Sequence, residues 1–240
     1  MTSIGTPVTD PHTFDTAMRA VLFDMDGTLI DTEGMWMAAE QEVANALGGV
    51  WTAEDQQRNV GGSARAAARY ILELTGAPVS SEEVMTMLAD AMRRRLTAGP
   101  GVMPGAKELV AEVAAAGIPT ALVTSTHRPI MEISVTAIGA EHFHVTVTGD
   151  EVEYNKPHPE PYLTAARLLG VDPAHCVALE DSPAGVAAAQ AAGCTTVAIP
   201  HLVPIDPAPG RVVIDSLVGV DLDWLGRSAR HRAMTGSRGG

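Results

Sequence analysis

The chain has 240 residues, 46% hydrophobic and 19% charged, enough for one large domain or for a domain with a smaller companion. Its formal net charge of −13 argues against a nucleic-acid backbone or an anionic membrane as partner, because both call for clustered positive charge. No apolar run approaches the roughly 18 residues that span a bilayer. The opening MTSIGTPVTDPHTFD has neither a basic start nor an apolar signal-type stretch, so a cytoplasmic protein is expected.

Residues 1–16, rich in Thr, Pro and Asp, read as a loose terminus. The first structured element lies in VLFDMDGTLIDTEG at 21–34, an apolar strand that runs into Asp24 and Asp26 before Gly27 and Thr28. A solvated Asp-Gly turn would account for these residues alone. Two carboxylates at one strand end can also carry chemistry, provided that partners arrive from elsewhere in the chain.

Residues 32–100 differ in kind. EGMWMAAEQEVANALGG, SARAAARYILELTG and SSEEVMTMLADAMRRRLTAG have the apolar spacing of three amphipathic helices. Ser80 and Glu83 stand at capping-box spacing, and the Gly/Pro-rich AGPGVMPGA closes the block. The expectation is a small helical unit inserted between core segments 17–31 and 101–240. Met85, Met87 and Met92 are assigned to its core, and Arg93, Arg94 and Arg95 to a solvated face.

From residue 101 a strand-then-helix pattern recurs. GIPTALVTST, HVTVTGDE, CVALEDS, TTVAIP and RVVI supply apolar strands, and the first three lead into helical stretches. Strands that are apolar throughout are covered on both faces, so a Rossmann-like α/β fold with a parallel sheet is predicted. Cys176 and Cys194 fall in such runs and read as buried free thiols. RSARHRAMTGSRGG, from 227 to 240, reads as a second loose terminus.

Polar groups gather at the ends of these strands: Asp24 and Asp26 on the first, Thr124, Ser125 and Thr126 on the second, Lys156 after the third, Glu180 and Asp181 on the fourth. Ligands of open α/β sheets bind beyond the carboxyl ends of the strands. Carboxylates from two strand ends supply the hard oxygen ligands that Mg2+ prefers. One carboxylate can attack phosphorus, a second can move the proton of the leaving oxygen, and a lysine and a hydroxyl can hold the phosphoryl oxygens.

DMDGTL, LVTST, NKPHPEPY and ALEDSPAGVAAAQAAG, in that order, resemble the four motifs of the haloacid dehalogenase superfamily. The resemblance implies Asp24 as nucleophile, Asp26 as general acid/base, and Thr124 and Lys156 as phosphate holders, with Ser125 beside them. It implies a Mg2+ site of Asp24, Asp26 through its backbone carbonyl, and Asp181, with Glu180 as a ligand or just behind one. The helical block resembles the cap of the phosphoglycolate phosphatase and β-phosphoglucomutase branch. Dehalogenases of the superfamily lack the second Asp and phosphonatases replace it with Ala, so Asp26 points to phosphate esters.

The expected activity is hydrolysis of a small phosphomonoester by a monomer, with phosphomutase and a non-catalytic ligand-binding relative as alternatives. β-Phosphoglucomutases carry a cap His where this chain has Trp36, and a cap-loop Arg where it has Ala64, beside Arg65. Specificity is expected from residues 33–40 and from Gly61, Gly62, Ser63 and Arg65. His127 and Arg128 could touch substrate or merely start a surface helix, and His158 reads as a loop residue.

Overall fold

A computed structural model describes residues 18–59 and 62–236, with side chains through 229. Its core is a six-stranded, all-parallel sheet. The strands are β1 (Ala20–Phe23), β4 (Thr120–Val123), β5 (Val145–Val147), β6 (Cys176–Glu180), β7 (Thr195–Ala198) and β8 (Arg211–Val213), in the spatial order β5-β4-β1-β6-β7-β8. A two-stranded antiparallel ribbon, β2 (Ile30–Asp31) with β3 (Gly101–Val102), makes up the remaining strand pairing.

Successive residues of β1 serve opposite faces, as a pleated strand requires. Val21 and Phe23 join Leu109, Val110 and Val113 of α5 (Ala106–Ala115), Met131 of α6 (Arg128–Ser134) and Leu225 of α9 (Leu222–Gly236). Ala20 and Leu22 join Tyr162 and Ala165 of α7 (Glu160–Leu169) and Ala188 and Ala189 of α8 (Pro183–Ala192). The alanines let α7 and α8 lie close on the sheet, which accounts for the chain's small-residue, aromatic-poor composition. Both cysteines are buried, and Cys176 is a free thiol.

The chain leaves the core along β2 and returns along β3. Between them lie α1 (Glu33–Ala46), α2 (Ala53–Asn59), α3 (Ala64–Thr75) and α4 (Ser81–Leu96). Ala39, Val43, Ile71, Val84, Leu88 and Met92 form their shared core, which Ile130 of α6 completes from the sheet side. Met85 and Met87 pack against that core. Ser80 and Glu83 make the full capping box at the start of α4. Arg94 and Arg95 both pair with Glu42 of α1, and Arg93 pairs with Asp90, so this face is tied by ion pairs as well as solvated.

Two expectations need correction. Helix α2, AEDQQRN, has no apolar stripe, so periodicity misses it. Its signal is local: Thr52 and Asp55 cap one another, with Thr52 N donating to Asp55 Oδ2 at 2.7 Å and Asp55 N to Thr52 Oγ1 at 3.3 Å. The expected loose C-terminus from 227 is helical through 236, as the end of α9. Leu225 and Ala229 are buried, Leu222 and Trp224 pack beside them, and Trp224 N is capped by Asp221 at 2.7 Å. The Arg-rich composition hid that apolar face. Residues 1–17 and 237–240 lie outside the described residues.

Candidate active site

Strand β1 lies between β4 and β6, the point where the chain order reverses across the sheet, and its carboxyl end opens a crevice. Asp24 follows β1 directly, Thr124 follows β4, and Asp181 follows β6. All three line one pocket with Asp26, Ser125 and Lys156. Gly27 makes the turn after β1 with φ +82°; a Cβ there would fall 2.1 Å from Asp181 Oδ2. Only glycine lets this turn sit against that carboxylate.

Lys156 crosses from the loop before α7 to the end of β1. Its Nζ is 2.6 Å from Asp24 Oδ1, 2.6 Å from Glu180 Oε1 and 2.9 Å from the Val123 carbonyl. Burial works against its charge, but Asp24 and Glu180 outweigh that and hold its pKa above the ordinary lysine value. The same Oε1 of Glu180 also accepts from the Tyr162 hydroxyl at 2.5 Å.

Asp26 has a different environment. Its Oδ1 accepts from Thr32 Oγ1 at 2.5 Å and from Trp36 Nε1 at 3.1 Å. Its Oδ2 accepts from Thr124 Oγ1 at 3.1 Å and Thr126 Oγ1 at 2.8 Å. Two donors come from the sheet side and two from the start of α1. Thr126, placed at the strand end with Thr124 and Ser125 from sequence, was given no role there, and here its hydroxyl holds Asp26.

Asp24, Glu180 and Asp181 bring carboxylate oxygens within 4.8 Å of one another, all buried. Asp24 Oδ2 and Asp181 Oδ2 have no hydrogen-bond partner. Burial, followed by repulsion from neighbouring carboxylates, pushes both acids well above the usual range. Three buried acids facing one ammonium are short of positive charge, and a divalent cation with hard oxygen preference fits the gap. The carboxylate of Asp26 is not in this cluster; its oxygens are committed to the four donors.

Gly62 and Ser63 line the same pocket from the insert. Gly61 lies outside the described residues. Arg65 is exposed and lines, with Arg69 and His127, an outer groove that adjoins the pocket at Ser63 and Lys156. Arg128 is taken up by Glu151 at 2.7 Å, and His158 is an exposed loop residue. Two insert carboxyls in the pocket wall, Glu33 and Glu40, are 5% and 6% exposed. Burial first, then the neighbouring acids, raises Glu33 to about 7 and Glu40 to about 8. Their signal was two acids seven residues apart on α1, hence on one helix face.

A family model described as haloacid dehalogenase-like hydrolase matches residues 21–199. Protein CbbY of Rhodobacter capsulatus is 36% identical over 197 residues, covering 76% of this chain and 86% of its own. Hexitol phosphatase A of Escherichia coli is 32% identical over 192 residues, 75% of this chain and 82% of its own. Among solved structures, a D10N mutant of CbbY from Rhodobacter sphaeroides in complex with xylulose-(1,5)bisphosphate superposes with a TM-score of 0.79 at 30% identity, over 87% of this chain and 99% of that one. The chain belongs to the haloacid dehalogenase-like hydrolase family. Within it, the chain is an enzyme of the phosphatase kind.

Proposed function

We propose that the chain hydrolyses a small phosphorylated sugar or polyol with Mg2+, through an aspartyl-phosphate on Asp24. The observation that carries the reading is Asp24 itself. Lys156 holds its Oδ1, while Oδ2 is buried in the pocket and free of any partner. That oxygen is the nucleophile. Ser125 Oγ is likewise buried without a partner, and it supplies a donor for a phosphoryl oxygen.

In the first step Asp24 Oδ2 bonds to phosphorus and the phosphorus–alcohol bond breaks, the leaving oxygen taking the proton carried by Asp26. In the second, Asp26 takes a proton from water as that water attacks phosphorus, and phosphate departs from Asp24. Lys156, fixed by Glu180, holds phosphoryl charge throughout. Asp24, Asp181 and the Asp26 carbonyl would hold the cation, with Glu180 engaged by Lys156 behind them. The bound cation supplies neutralisation of phosphoryl charge and of the repulsion among the acids.

The pocket encloses only about 50 Å³, against the roughly 300 Å³ or more of small-molecule sites. Residues 32–100 therefore act as a cap that swings on the β2/β3 ribbon to admit substrate and closes to exclude water. Relatives named for sugar and hexitol phosphates support the substrate class. Among the described residues no helix is long and apolar enough to cross a membrane.

Phosphate release from p-nitrophenyl phosphate, with Mg2+ and with chelator, tests the reading. Wild type should turn over only with the metal, and Asp24→Asn should lose at least about a hundredfold, since loss of a covalent nucleophile costs orders of magnitude. Turnover of Asp24→Asn within tenfold of wild type would sink it.

A further inference from the structure

The pocket has two sides, and the side facing away from the strands is not accounted for by phosphoryl chemistry. There Glu40 is 6% exposed, and its Oε2 has no hydrogen-bond partner. A buried acceptor left open is costly unless something fills it. Gln56 lines the pocket beside Glu40, and its side chain acts to lower the pKa of this carboxyl against the effect of burial. Gln56 is itself fixed, because its Oε1 accepts from Trp51 Nε1 at 3.1 Å and so turns its amide nitrogen away from Trp51. Trp51 stands edge-on to Tyr70 at 5.6 Å, and the Tyr70 hydroxyl donates to Asp55 at 2.6 Å. Helices α2 and α3 thus brace Glu40, which lines the pocket and keeps one buried oxygen without a partner.

Charge on this side is equally one-sided. Glu33 lies between Glu40 and the strand-end acids and feels Asp26. Among the described lining residues the one cation is Lys156, which is already on the phosphoryl side. A second phosphate or a carboxylate held against this wall would meet carboxyls, since Arg65, Arg69 and His127 line the adjoining groove instead. A hydroxyl, which both donates and accepts, suits Glu40 and Gln56 together.

We propose that Glu40, positioned by Gln56 and Trp51, is the residue that selects the leaving alcohol, taking a hydrogen bond from a hydroxyl of a neutral polyhydroxylated phosphomonoester, and that this wall bars doubly anionic substrates. The proposal rests on the phosphatase reading above. It sets the chain apart from the CbbY structure whose bound molecule carries two phosphates.

Steady-state kinetics of the full chain with Mg2+ on four esters test it: p-nitrophenyl phosphate, a hexitol 6-phosphate, fructose 1,6-bisphosphate and phosphoethanolamine. Wild type should favour the hexitol phosphate over the bisphosphate by at least tenfold in kcat/KM. Glu40→Leu should lower the ratio of hexitol phosphate to p-nitrophenyl phosphate at least tenfold, mainly through KM, and Glu40→Gln should recover part of it. A wild-type preference for the bisphosphate or for phosphoethanolamine overturns the proposal, and so does a ratio within twofold in Glu40→Leu. If Glu40→Leu fails to fold, the wild-type preferences and the Glu40→Gln ratio decide. Failure to hydrolyse even p-nitrophenyl phosphate removes the phosphatase reading, and this proposal with it. Hydrolysis of that ester without selection removes this proposal alone.

Discussion

The indole N–H of Trp36 donates to Oδ1 of Asp26 at 3.1 Å, a bond from the first helix of the insert to the turn after the central strand. Sequence reading placed Trp36 in the 33–40 stretch expected to set specificity, where mutases carry a cap histidine. The structure commits its indole N–H to the proposed acid/base. A carboxylate that must deliver a proton to one particular oxygen needs a fixed orientation, and Thr32 and Trp36 provide it from the cap side.

Trp36→Phe keeps the ring and deletes the donor. A hydrogen bond to a charged group contributes about 1.5–3 kcal/mol, so kcat should fall about tenfold or more, with KM changing less. Stopped assays of phosphate release over a substrate range separate the two. An unchanged kcat would mean that Thr32, Thr124 and Thr126 suffice to orient Asp26.

Gly185 faces the back of Glu180. A Cβ at that position would sit 1.9 Å from Glu180 Oε2, so Gly185→Ala must displace the carboxylate that anchors Lys156. Overpacking of this kind costs about 1–3 kcal/mol, which corresponds to a melting point lower by roughly 3–10 °C in a chain of this size. Calorimetry and kcat should fall together; a stable variant with full activity would show that Lys156 does not depend on Glu180.

The buried Glu40 gives a pH prediction for stability. Its carboxyl stands at about 8 in the fold against an ordinary value of 4.5, so the folded chain holds this proton more tightly than the unfolded one. The stability it contributes is complete below about 4.5 and is lost as pH rises through about 8. Glu40→Gln cannot ionise. In chelator, its melting point relative to wild type should rise by several degrees between pH 5 and pH 9. A difference that stays flat across that window would mean that Glu40 titrates alike in the folded and unfolded chain.

Strand ends carried most of what could be read beforehand. Asp24, Thr124, Lys156 and Asp181 each follow an apolar run that can only be a buried strand, and a parallel sheet brings such ends to one edge. The insert was legible only where apolar residues recur. Helix α2 and the end of α9 escaped because one has no stripe and the other carries arginines over its apolar positions. Glu33 and Glu40 bound the 33–40 stretch expected to set specificity but were not singled out within it, and Gln56 was missed, because nothing in a helical sequence says which face a neighbouring element will cover. Arg65 shows the converse. Its place beside a glycine loop was evident, but one position along α3 turns a side chain by about 100°, and it lines the outer groove rather than the pocket.

That rotation bears on whether the enzyme releases phosphate or moves it. A mutase cap must grip the second phosphate of a sugar bisphosphate while the sugar turns, which calls for a cation aimed inward. Ala64 lines the pocket and Arg65 does not. The position of the mutase histidine holds Trp36, and its N–H is occupied by Asp26. With Glu33 and Glu40 in that wall, none of the described insert residues lining it is a cation placed to take the distal charge of a bisphosphate. Water should therefore win the aspartyl-phosphate. With β-glucose 1-phosphate and Mg2+, inorganic phosphate should appear at least tenfold faster than glucose 6-phosphate, followed by a coupled dehydrogenase assay beside a phosphate assay. Glucose 6-phosphate forming faster than phosphate would reverse the conclusion, and loss of that activity in Arg65→Ala would identify Arg65 as a cation that swings inward when the cap closes.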